Sequence, residues 1–242
     1  MATFRQILNR TLIALGQADN QVADGANSLT DAYHIKVAQW VNDFLEEVED
    51  AAPWRVLRQA VSVNVSTGAL SASITGANPR SKLIHSNDAD NGIVQPLVSN
   101  QTAPTQPYML TETDLPSLLA ADRGAGATVT AANPDYFALE PSATGMNLYV
   151  YPRPASTQTI QVELTIPQGR VDTTSSASLD TVIKVPDTLV VLGATWWGLE
   201  DRGEELGQDG AKAEARYRMK LAEAAAAELA VQGLDDLVVR DA

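Results

Sequence analysis

Cysteine is absent from this 242-residue chain, so it can hold no disulfide, no thiolate metal site and no cysteine nucleophile. That absence fits assembly in a reducing cytoplasm. Histidine is nearly absent as well, and only His34 and His85 occur. His34 lies in a segment whose helical pattern is explained by packing, so we expect a structural or surface role for it.

His85 is the histidine with acidic neighbours, Asp88 and Asp90. Hard cations bind carboxylate oxygens, so a cation site is conceivable at this point. The segment departs from the calcium-loop pattern, because Ala89 stands at its third position and Val98 at its twelfth. A solvated turn is the preferred interpretation, and we predict no metal site.

Sequence signatures of catalysis are missing too. The GxSxG turn of serine hydrolases does not occur, and Gly124–Thr128 lacks the lysine and the preceding strand of a phosphate-binding loop. The paired carboxylates Glu46–Glu47, Glu49–Asp50 and Glu204–Glu205 are typical of charge on helix surfaces. We therefore predict that the chain is not an enzyme, has no catalytic or cofactor-binding residue, and uses no cofactor.

Basic side chains are few, because 17 Lys and Arg against 30 Asp and Glu give a net charge of −13. A protein that grips nucleic acid by its phosphates needs clustered Lys and Arg, and no such cluster occurs. An acidic surface would still let DNA slide past without sticking. The largest apolar run, Leu189–Leu199, is far shorter than the roughly 20 residues that span a bilayer. The first residues lack the apolar region of a secretory signal, and we expect no membrane contact.

The N-terminal part of the chain has two helical patterns. Apolar residues recur at three- and four-residue steps across 4–15 and again across 31–50. Gly16 suits the end of the first helix, and Thr30 or Asp31 suits the N-cap of the second.

Helical patterning returns near the C-terminal end. Pro186 suits a first helical turn, and Asp187 suits the positive end of the helix dipole. A last segment, 211–233, is rich in the best helix formers, and Gly233 suits its C-cap. A shared face of this helix is formed by Tyr217, Leu221, Ala224 or Ala225, with Glu228 near its edge.

Between these ends the apolar residues recur with a period of two, which is typical of half-buried antiparallel strands. The pattern predicts strands at 61–66, 135–141, 147–154 and 159–167. Residues 69–76 are a candidate hairpin partner for the first of these. The interval 76–132 is rich in Pro, Gly, Asn and Asp, which favours long loops with one short helix capped by Asp114.

These patterns together predict an α+β fold, in which a helical bundle of N- and C-terminal helices carries an inserted, mainly antiparallel β region. We place the helical domain at 1–58 and 184–242, and the β-rich domain with its long loops at 59–183. The chain is long enough for one large domain or two small ones.

Large aromatic side chains concentrate in the helical ends. All four tryptophans, Trp40, Trp54, Trp196 and Trp197, lie in or beside these segments. Adjacent helical residues point about 100° apart, so Trp196 and Trp197 cannot both face one core cleft. One of them should meet the β region or another subunit, and Gly193 would let another element approach closely. The candidate core or interface residues are Trp40, Trp54, Gly193, Trp196, Trp197, Tyr217 and Leu221.

The order of these segments resembles that of phage head-to-tail adaptor proteins related to tail tubular protein A of short-tailed phages. Those proteins open on a helix with an Asn-x-x-Leu-x-x-Ile/Leu-Gly pattern, met here by Asn9, Leu12, Leu15 and Gly16. The stretch PWRVLRQAVSVNV is similar to their Trp-x-x-Leu entry into the β region. Three of their strands have similar counterparts here in DYFALEP, NLYVYPRP and TIQVELTIP, and the second of these ends in the Tyr-Pro-x-Pro pattern. Their Ile/Val-Pro helix, which precedes an Ala-rich helix, is similar to VPDTLVVLG. The resemblance covers both ends well and 59–132 poorly.

This resemblance implies a structural virion protein that forms a ring of twelve copies under the portal and joins the portal to the tail. The implied partners are further copies of the chain, the portal protein and tail proteins, while DNA passes through the channel without specific binding. The implied location is the head–tail interface of the virion, after assembly in the cytoplasm of the host bacterium. The broad apolar helix faces agree, because a head-to-tail ring subunit buries two different lateral faces.

Other functions stay open at this stage. Another virion component of the tail or neck, or a decoration protein, is distinguished by its location in a labelled particle. A carbohydrate-active enzyme is suggested by the β-rich middle, and it would need a cleft whose carboxylates have separated pKa values. An adhesin-like binding module would be favoured by a secretion signal encoded upstream.

Replacing Trp196 by alanine distinguishes a core role from an interface role. If the indole is fully buried in the core, we expect Trp196→Ala to lower the free energy of unfolding by about 3–5 kcal/mol, measured by chemical denaturation. A variant that is as stable as the wild type but fails to assemble would instead place Trp196 at an interface.

Overall fold

The structure is a computed structural model that describes residues 1–26, 28–88, 93–102, 107–126, 133–174, 176–202 and 207–238. The fold is α+β, as the sequence predicts. The chain divides into two compact units. The helical unit contains Met1–Leu57 and Pro167–Asp235. The β unit contains Arg58–Ile166, and the last described residues, 236–238, are grouped with it and not with the helical unit, in which the sequence placed them. Within the described ranges, no helix is long and apolar enough to cross a membrane.

The helices and strands follow one another in chain order. The first are α1 (Phe4–Ala14), α2 (Ala32–Ala51) and a short 3-10 turn (Arg55–Leu57). The middle holds β1 (Arg58–Val65), β2 (Ser71–Ile74), β3 (Lys82–Leu83), β4 (His85–Asp88), β5 (Ile93–Pro96), β6 (Val98–Asn100), β7 (Tyr108–Met109), β8 (Thr111–Glu112), α3 (Leu115–Gly124), β9 (Tyr136–Pro141), β10 (Met146–Tyr151) and β11 (Gln158–Thr165). The last are α4 (Ser176–Leu179), α5 (Asp187–Asp201) and α6 (Gly207–Val238).

Side-chain caps explain where the first two helices begin. The backbone N–H of Gln6 donates to Thr3 Oγ1 at 3.3 Å, and the backbone N–H of Thr3 donates to Gln6 Oε1 at 3.0 Å, which is a capping box. Asp31, one of the two predicted caps, accepts from the backbone N–H groups of Tyr33 and His34. These bonds satisfy backbone donors that the first helical turn leaves without partners.

The two C-terminal helices differ from their predicted limits at one end each. α5 begins at Asp187 with Pro186 in the N-cap position, so the proline precedes the first turn instead of lying in it. α6 continues to Val238, so the prediction that Gly233 ends this helix is wrong. A single glycine costs only about 1 kcal/mol inside a helix, and the surrounding helix formers outweigh that cost.

Helices α1, α2, α5 and α6 contribute to one hydrophobic core. The buried residues of α1 and α2 recur at three- and four-residue steps, so the apolar period of the sequence marks the face that packs inward. The side chains with no exposed surface in this core are Phe4, Ile7, Leu8, Leu12, Val37, Ala38, Val41, Leu45, Val48, Leu57, Leu179, Val190, Ala194 and Tyr217.

Two glycines of α5 let neighbouring side chains pack against its backbone. A Cβ built at Gly193 would lie 2.2 Å from Cδ1 of Phe44, so the phenyl ring fills the space of a missing side chain. A Cβ at Gly198 would lie 2.7 Å from Cδ1 of Leu15 and 3.0 Å from Cζ3 of Trp40. The sequence predicts the close approach at Gly193, and the one at Gly198 is a finding of the structure.

Residues 167–183 belong to the helical unit, whereas the sequence placed the domain boundary after them. Asn42 of α2 explains the difference, since its Nδ2 donates to the Val171 carbonyl at 3.0 Å and its Oδ1 accepts from the Val171 N–H at 2.8 Å. Glu49 accepts from the backbone N–H of Gln168 at 2.8 Å. The prediction that Glu49 is surface charge is therefore wrong, because this carboxylate is buried where the segment returns to α2.

The β unit contains two larger sheets whose apolar side chains meet in one core. The first sheet has the order β1–β11–β6–β7, with β3 also pairing with β11, and the second has the order β2–β10–β9–β8. β4 and β5 form a separate pair. Among the described strands, every pairing is antiparallel except that of β8 with β9. The predicted alternation holds in β10, where Met146, Leu148 and Val150 are buried.

The hairpin predicted for residues 61–76 is wrong. β1 pairs with β11 along its whole length, from Arg58 opposite Thr165 to Val65 opposite Gln158. β2 pairs with β10 in the other sheet. Pairing two strands of eight residues satisfies more backbone groups than pairing β1 with the four residues of β2. A period of two identifies strands without specifying their partners.

The interval 76–132 is more ordered than the predicted long loops. Its described part contains the six short strands β3 to β8 and helix α3, which begins after Asp114 as predicted. Asp122 of α3 accepts two bonds of 2.6 and 2.8 Å from the Arg153 guanidinium, and these hold the pKa of Asp122 below its usual range. Strands of two to four residues are too short to show a period in the sequence.

Gly193→Ala tests the contact between α2 and α5. The added methyl group would displace the Phe44 ring, and overpacking of this kind costs about 1–3 kcal/mol, so we expect the free energy of unfolding in urea to fall by that amount. Gly124→Ala is the control, because no atom lies within 4 Å of a Cβ built there. We expect this control to be at least as stable as the wild type. Equal stability of Gly193→Ala and the wild type would contradict the contact.

Candidate assembly surface

The two adjacent tryptophans of α5 lie in different environments. Trp196 is 8% exposed, whereas Trp197 is 48% exposed. The Trp196 ring stacks on Tyr217 with 6.0 Å between centroids and meets Phe44 edge-on at 5.7 Å. The guanidinium carbon of Arg218 lies 5.3 Å from the centroid of the Trp196 ring. The angle of about 100° between adjacent helix positions accounts for one indole packing inward while the other reaches solvent.

Trp197 projects from α5 beside α2. Its ring lies edge-on to Phe44 at 6.4 Å and to Trp196 at 5.7 Å. Asp43, Phe44, Glu47 and Trp197 line a shallow depression of about 150 Å³. A large apolar ring is thus exposed next to two carboxylates. We refer to Trp197 with its neighbours Asp43 and Glu47 as the Trp197 knob.

Among the residues that the structure describes, carboxylates outnumber guanidinium groups around the Trp197 knob. The four carboxylates are Asp43, Glu46, Glu47 and Glu214. Arg170 binds Asp43 at 2.8 Å and Glu46 at 3.2 Å. Arg218 binds Glu214 at 2.8 Å. These hydrogen bonds raise the pKa of both arginines. The surface around the exposed indole therefore keeps a negative character.

A groove between α5 and α6 is the second exposed feature of the helical unit. It has a volume of about 490 Å³ and will be called the α5–α6 groove. Leu189, Leu192 and Ala224 supply apolar lining, while Arg216 and Lys220 supply cationic lining. Both cations are exposed on α6. The groove therefore offers an apolar surface next to positive charge.

No sequence pattern predicted this groove. Its one sequence signal is the alanine run Ala224–Ala227, which leaves that part of α6 without bulky side chains. Alanine has a high helix propensity, so a run of alanines also occurs in helices that line no groove. The run therefore does not by itself indicate a groove. The groove follows from where α6 packs against α5, which a single helix pattern does not determine.

Tyr217 packs α6 onto the core, and among the described residues no acceptor makes a well-formed hydrogen bond with its hydroxyl, although the Glu47 carboxylate lies near enough to interact with it. The side chain is wholly buried, and neither Tyr217 Oη nor Trp196 Nε1 has a hydrogen-bond partner among the described residues. Burial, and then the nearby Glu47 carboxylate, raise the pKa of Tyr217 far above its usual range. A buried hydroxyl without a partner costs stability. Leu221, one turn further along α6, is partly buried against the same core.

The other two tryptophans belong to the core. Trp40 is 5% exposed and lies edge-on to Tyr33 with 6.4 Å between centroids, with Lys36 Nζ 5.4 Å from its ring centroid. Trp54 is 3% exposed, and its Nε1 donates to the Val48 carbonyl at 2.5 Å. Both indoles therefore stabilise α2 and the turn that follows it.

Counting only the described residues, neither histidine lies in a cluster of metal-binding side chains. His34 Nε2 lies 2.8 Å from the Asn20 carbonyl oxygen, and His85 Nε2 lies 3.0 Å from Glu112 Oε2. Over the part of the chain that the structure describes, no group of three or more His, Asp or Glu side chains could hold a metal ion. Of the residues named in the sequence-based predictions of metal, phosphate and carboxylate sites, Ala89, Asp90, Ala127, Thr128, Glu204 and Glu205 lie outside the described residues.

No protein-family model matches the chain, and no curated protein matches it significantly. The resemblance to phage adaptors therefore rests on the order of segments in the sequence. The function must be argued from the two exposed features of the helical unit and from the division of the chain into two units.

Tyr217→Phe removes the buried hydroxyl and keeps the ring. Because the hydroxyl makes no well-formed hydrogen bond and lies beside the Glu47 carboxylate without ionising, we expect the free energy of unfolding at neutral pH to stay equal or to rise by up to about 1 kcal/mol. Tyr33→Phe is the matched control, since the Tyr33 hydroxyl accepts from Arg202 at 2.7 Å. We expect this control to lose about 0.5–1.5 kcal/mol. A loss in Tyr217→Phe as large as in the control would contradict the unpartnered hydroxyl.

The loss of stability at alkaline pH gives a second test of the buried Tyr217 hydroxyl. An unfolded tyrosine ionises near about pH 10, whereas folded Tyr217 keeps its proton to higher pH. Above about pH 10 the unfolded chain therefore binds fewer protons than the folded one, and stability falls as the pH rises. We expect urea titrations between about pH 8 and pH 11 to show a steeper loss for the wild type than for Tyr217→Phe. Equal slopes would contradict the raised pKa.

Proposed function

We propose that this chain is a head-to-tail adaptor of a phage virion, a ring subunit that joins the portal to the tail while DNA passes through the channel. On this proposal it is a structural protein, not an enzyme, and it needs no cofactor. Its partners are further copies of itself in a ring of twelve, the portal protein and tail proteins. It acts at the head–tail interface after assembly in the host cytoplasm, without membrane contact.

The division of the chain is the observation that carries the proposal. Both chain ends contribute helices to one unit, and the intervening segment forms a separate β unit. The resemblance implies this arrangement, in which the helical part packs around the ring and against the portal while the β part faces neighbours or the tail. The Tyr-Pro-x-Pro and alternating strands of the resemblance are β10 and β11, one in each larger sheet.

Two different exposed features on the helical unit also support a ring subunit. A ring closes through head-to-tail contacts, in which each copy presents one surface to one neighbour and a different surface to the other. The Trp197 knob exposes about half of a large indole, and the α5–α6 groove exposes apolar lining elsewhere on the same unit. These features are the kind that subunit contacts bury.

The acidic character of the chain supports passage of DNA. A net charge of −13 repels the phosphate backbone. A basic channel wall would bind DNA, because contact with its Lys and Arg side chains releases the counterions condensed on the phosphates. Such binding would oppose genome delivery. An acidic subunit avoids that retention.

Mixing the purified chain with the portal protein of the same virus tests the proposal. We expect negative-stain images to show ring-shaped complexes in which the chain covers one end of the portal. A portal from an unrelated phage is the control, and we expect no complex with it. Failure to bind the cognate portal and to form any ring would contradict the proposal. An antibody label found on the capsid surface or the distal tail would indicate another virion component.

A further inference from the structure

We propose that the Trp197 knob of one copy inserts into the α5–α6 groove of the next copy, so that a second copy of this chain is the occupant of the groove. The inference rests on the proposed function, because it names the contact that joins neighbouring ring subunits.

The knob and the groove face different directions on one copy. Trp197 and Leu192 are five residues apart on α5, so their side chains point about 140° apart around the helix axis. Leu189, a further lining residue, lies about 12 Å along the axis from Trp197. The indole therefore cannot fill the groove of its own chain. Two complementary features that face apart join copies head to tail, which is the contact type of a ring.

The chemistry of the two features is complementary. The knob presents an aromatic ring beside Asp43 and Glu47, and the groove presents apolar lining beside Arg216 and Lys220. Glu223 also lines the groove and binds Lys220 at 2.7 Å, which offsets part of the positive charge and leaves Arg216 to supply the remainder. Opposite charges at the rim of a contact orient the partners and disfavour wrong pairings.

A volume of about 490 Å³ also falls in the range of small-molecule pockets, so a small apolar ligand is the alternative occupant. The knob accounts for more of the observations than such a ligand does. A ligand would explain the apolar lining of the groove, but it would not explain why an indole beside carboxylates is 48% exposed on the same unit. Trp and Arg are also the residues in which the energy of protein interfaces concentrates.

Two substitutions remove the two halves of the contact separately. Trp197→Ala deletes the knob, and Thr188→Trp fills the groove from an exposed position of its lining. Leu229→Ala is the matched control, because Leu229 is 54% exposed on α6 and lies about 140° around that helix from Arg216. Sedimentation velocity of the full chain measures self-association, and thermal unfolding checks that each variant is folded.

We expect the wild type and Leu229→Ala to associate equally. Trp197→Ala and Thr188→Trp should each weaken association by at least about 30-fold, as hot-spot changes do. Raising the ionic strength should weaken wild-type association as well, because the charged rim is screened.

Mixing the two variants identifies a head-to-tail contact. The Trp197→Ala copy keeps a free groove, and the Thr188→Trp copy keeps its knob, so one productive contact remains possible between them. We expect an equimolar mixture to form dimers and no larger species, although each variant alone stays monomeric. A symmetric contact through one patch would not be restored by mixing.

Three results would overturn the inference. Trp197→Ala that associates as the wild type does would place the subunit contact elsewhere. A mixture that stays monomeric would deny the pairing of knob with groove. A wild type that stays monomeric up to about 1 mM would show that the contact has no useful affinity. The portal experiment is independent of all three results. Rings on the portal would support the proposed function even if this contact were absent. Trp197-dependent association without portal binding would support only this contact.

Discussion

The helical unit depends on the packing of Phe44 from α2 against the bare backbone of α5 at Gly193. Any side chain at that position would occupy the space of the phenyl ring. Because the ring lies so close to α5, it also contacts Trp196, Trp197 and Tyr217 edge-on, at centroid distances of 5.7, 6.4 and 5.2 Å. One side chain of α2 thus positions the aromatic residues of both C-terminal helices. Edge-to-face contacts of this kind add to the stability gained by burial.

The same contact explains why the helical unit exposes an indole. Phe44 packs against the side of α5 that bears Gly193, and this fixes the rotation of α5 about its axis. In that orientation Trp196 stacks on Tyr217, and Trp197 lies beside the carboxylates of α2. The exposed half of the Trp197 surface contributes no hydrophobic stabilisation to an isolated chain, because it stays in contact with water. A subunit that buries this ring in its neighbour recovers that stabilisation on assembly, which is how the fold and the proposed ring function are connected.

Local patterns predicted what local physics determines. The N-cap at Asp31, one of the two predicted positions, follows from side-chain chemistry within a few residues. The apolar faces of α1 and α2 and the close approach at Gly193 follow from helix geometry. The separation of Trp196 from Trp197 also follows from the helical angle. Such patterns could not predict which strands pair over long distances in the sequence. The alternation of apolar residues in β1 is equally compatible with a hairpin to β2 and with the observed pairing to β11. The α5–α6 groove was missed for the same reason: it belongs to two helices, and each helix alone has an ordinary pattern.

Solvent accessibility of the two adjacent indoles, before and after assembly, is the most direct test of this account. Hydroxyl-radical footprinting with mass spectrometry measures the oxidation of Trp196 and Trp197 separately, in the free chain and in the assembled ring. The account predicts that Trp197 is the more oxidised residue in the free chain and becomes protected on assembly, while Trp196 stays protected throughout. Equal oxidation of Trp197 in the free and assembled forms would contradict it.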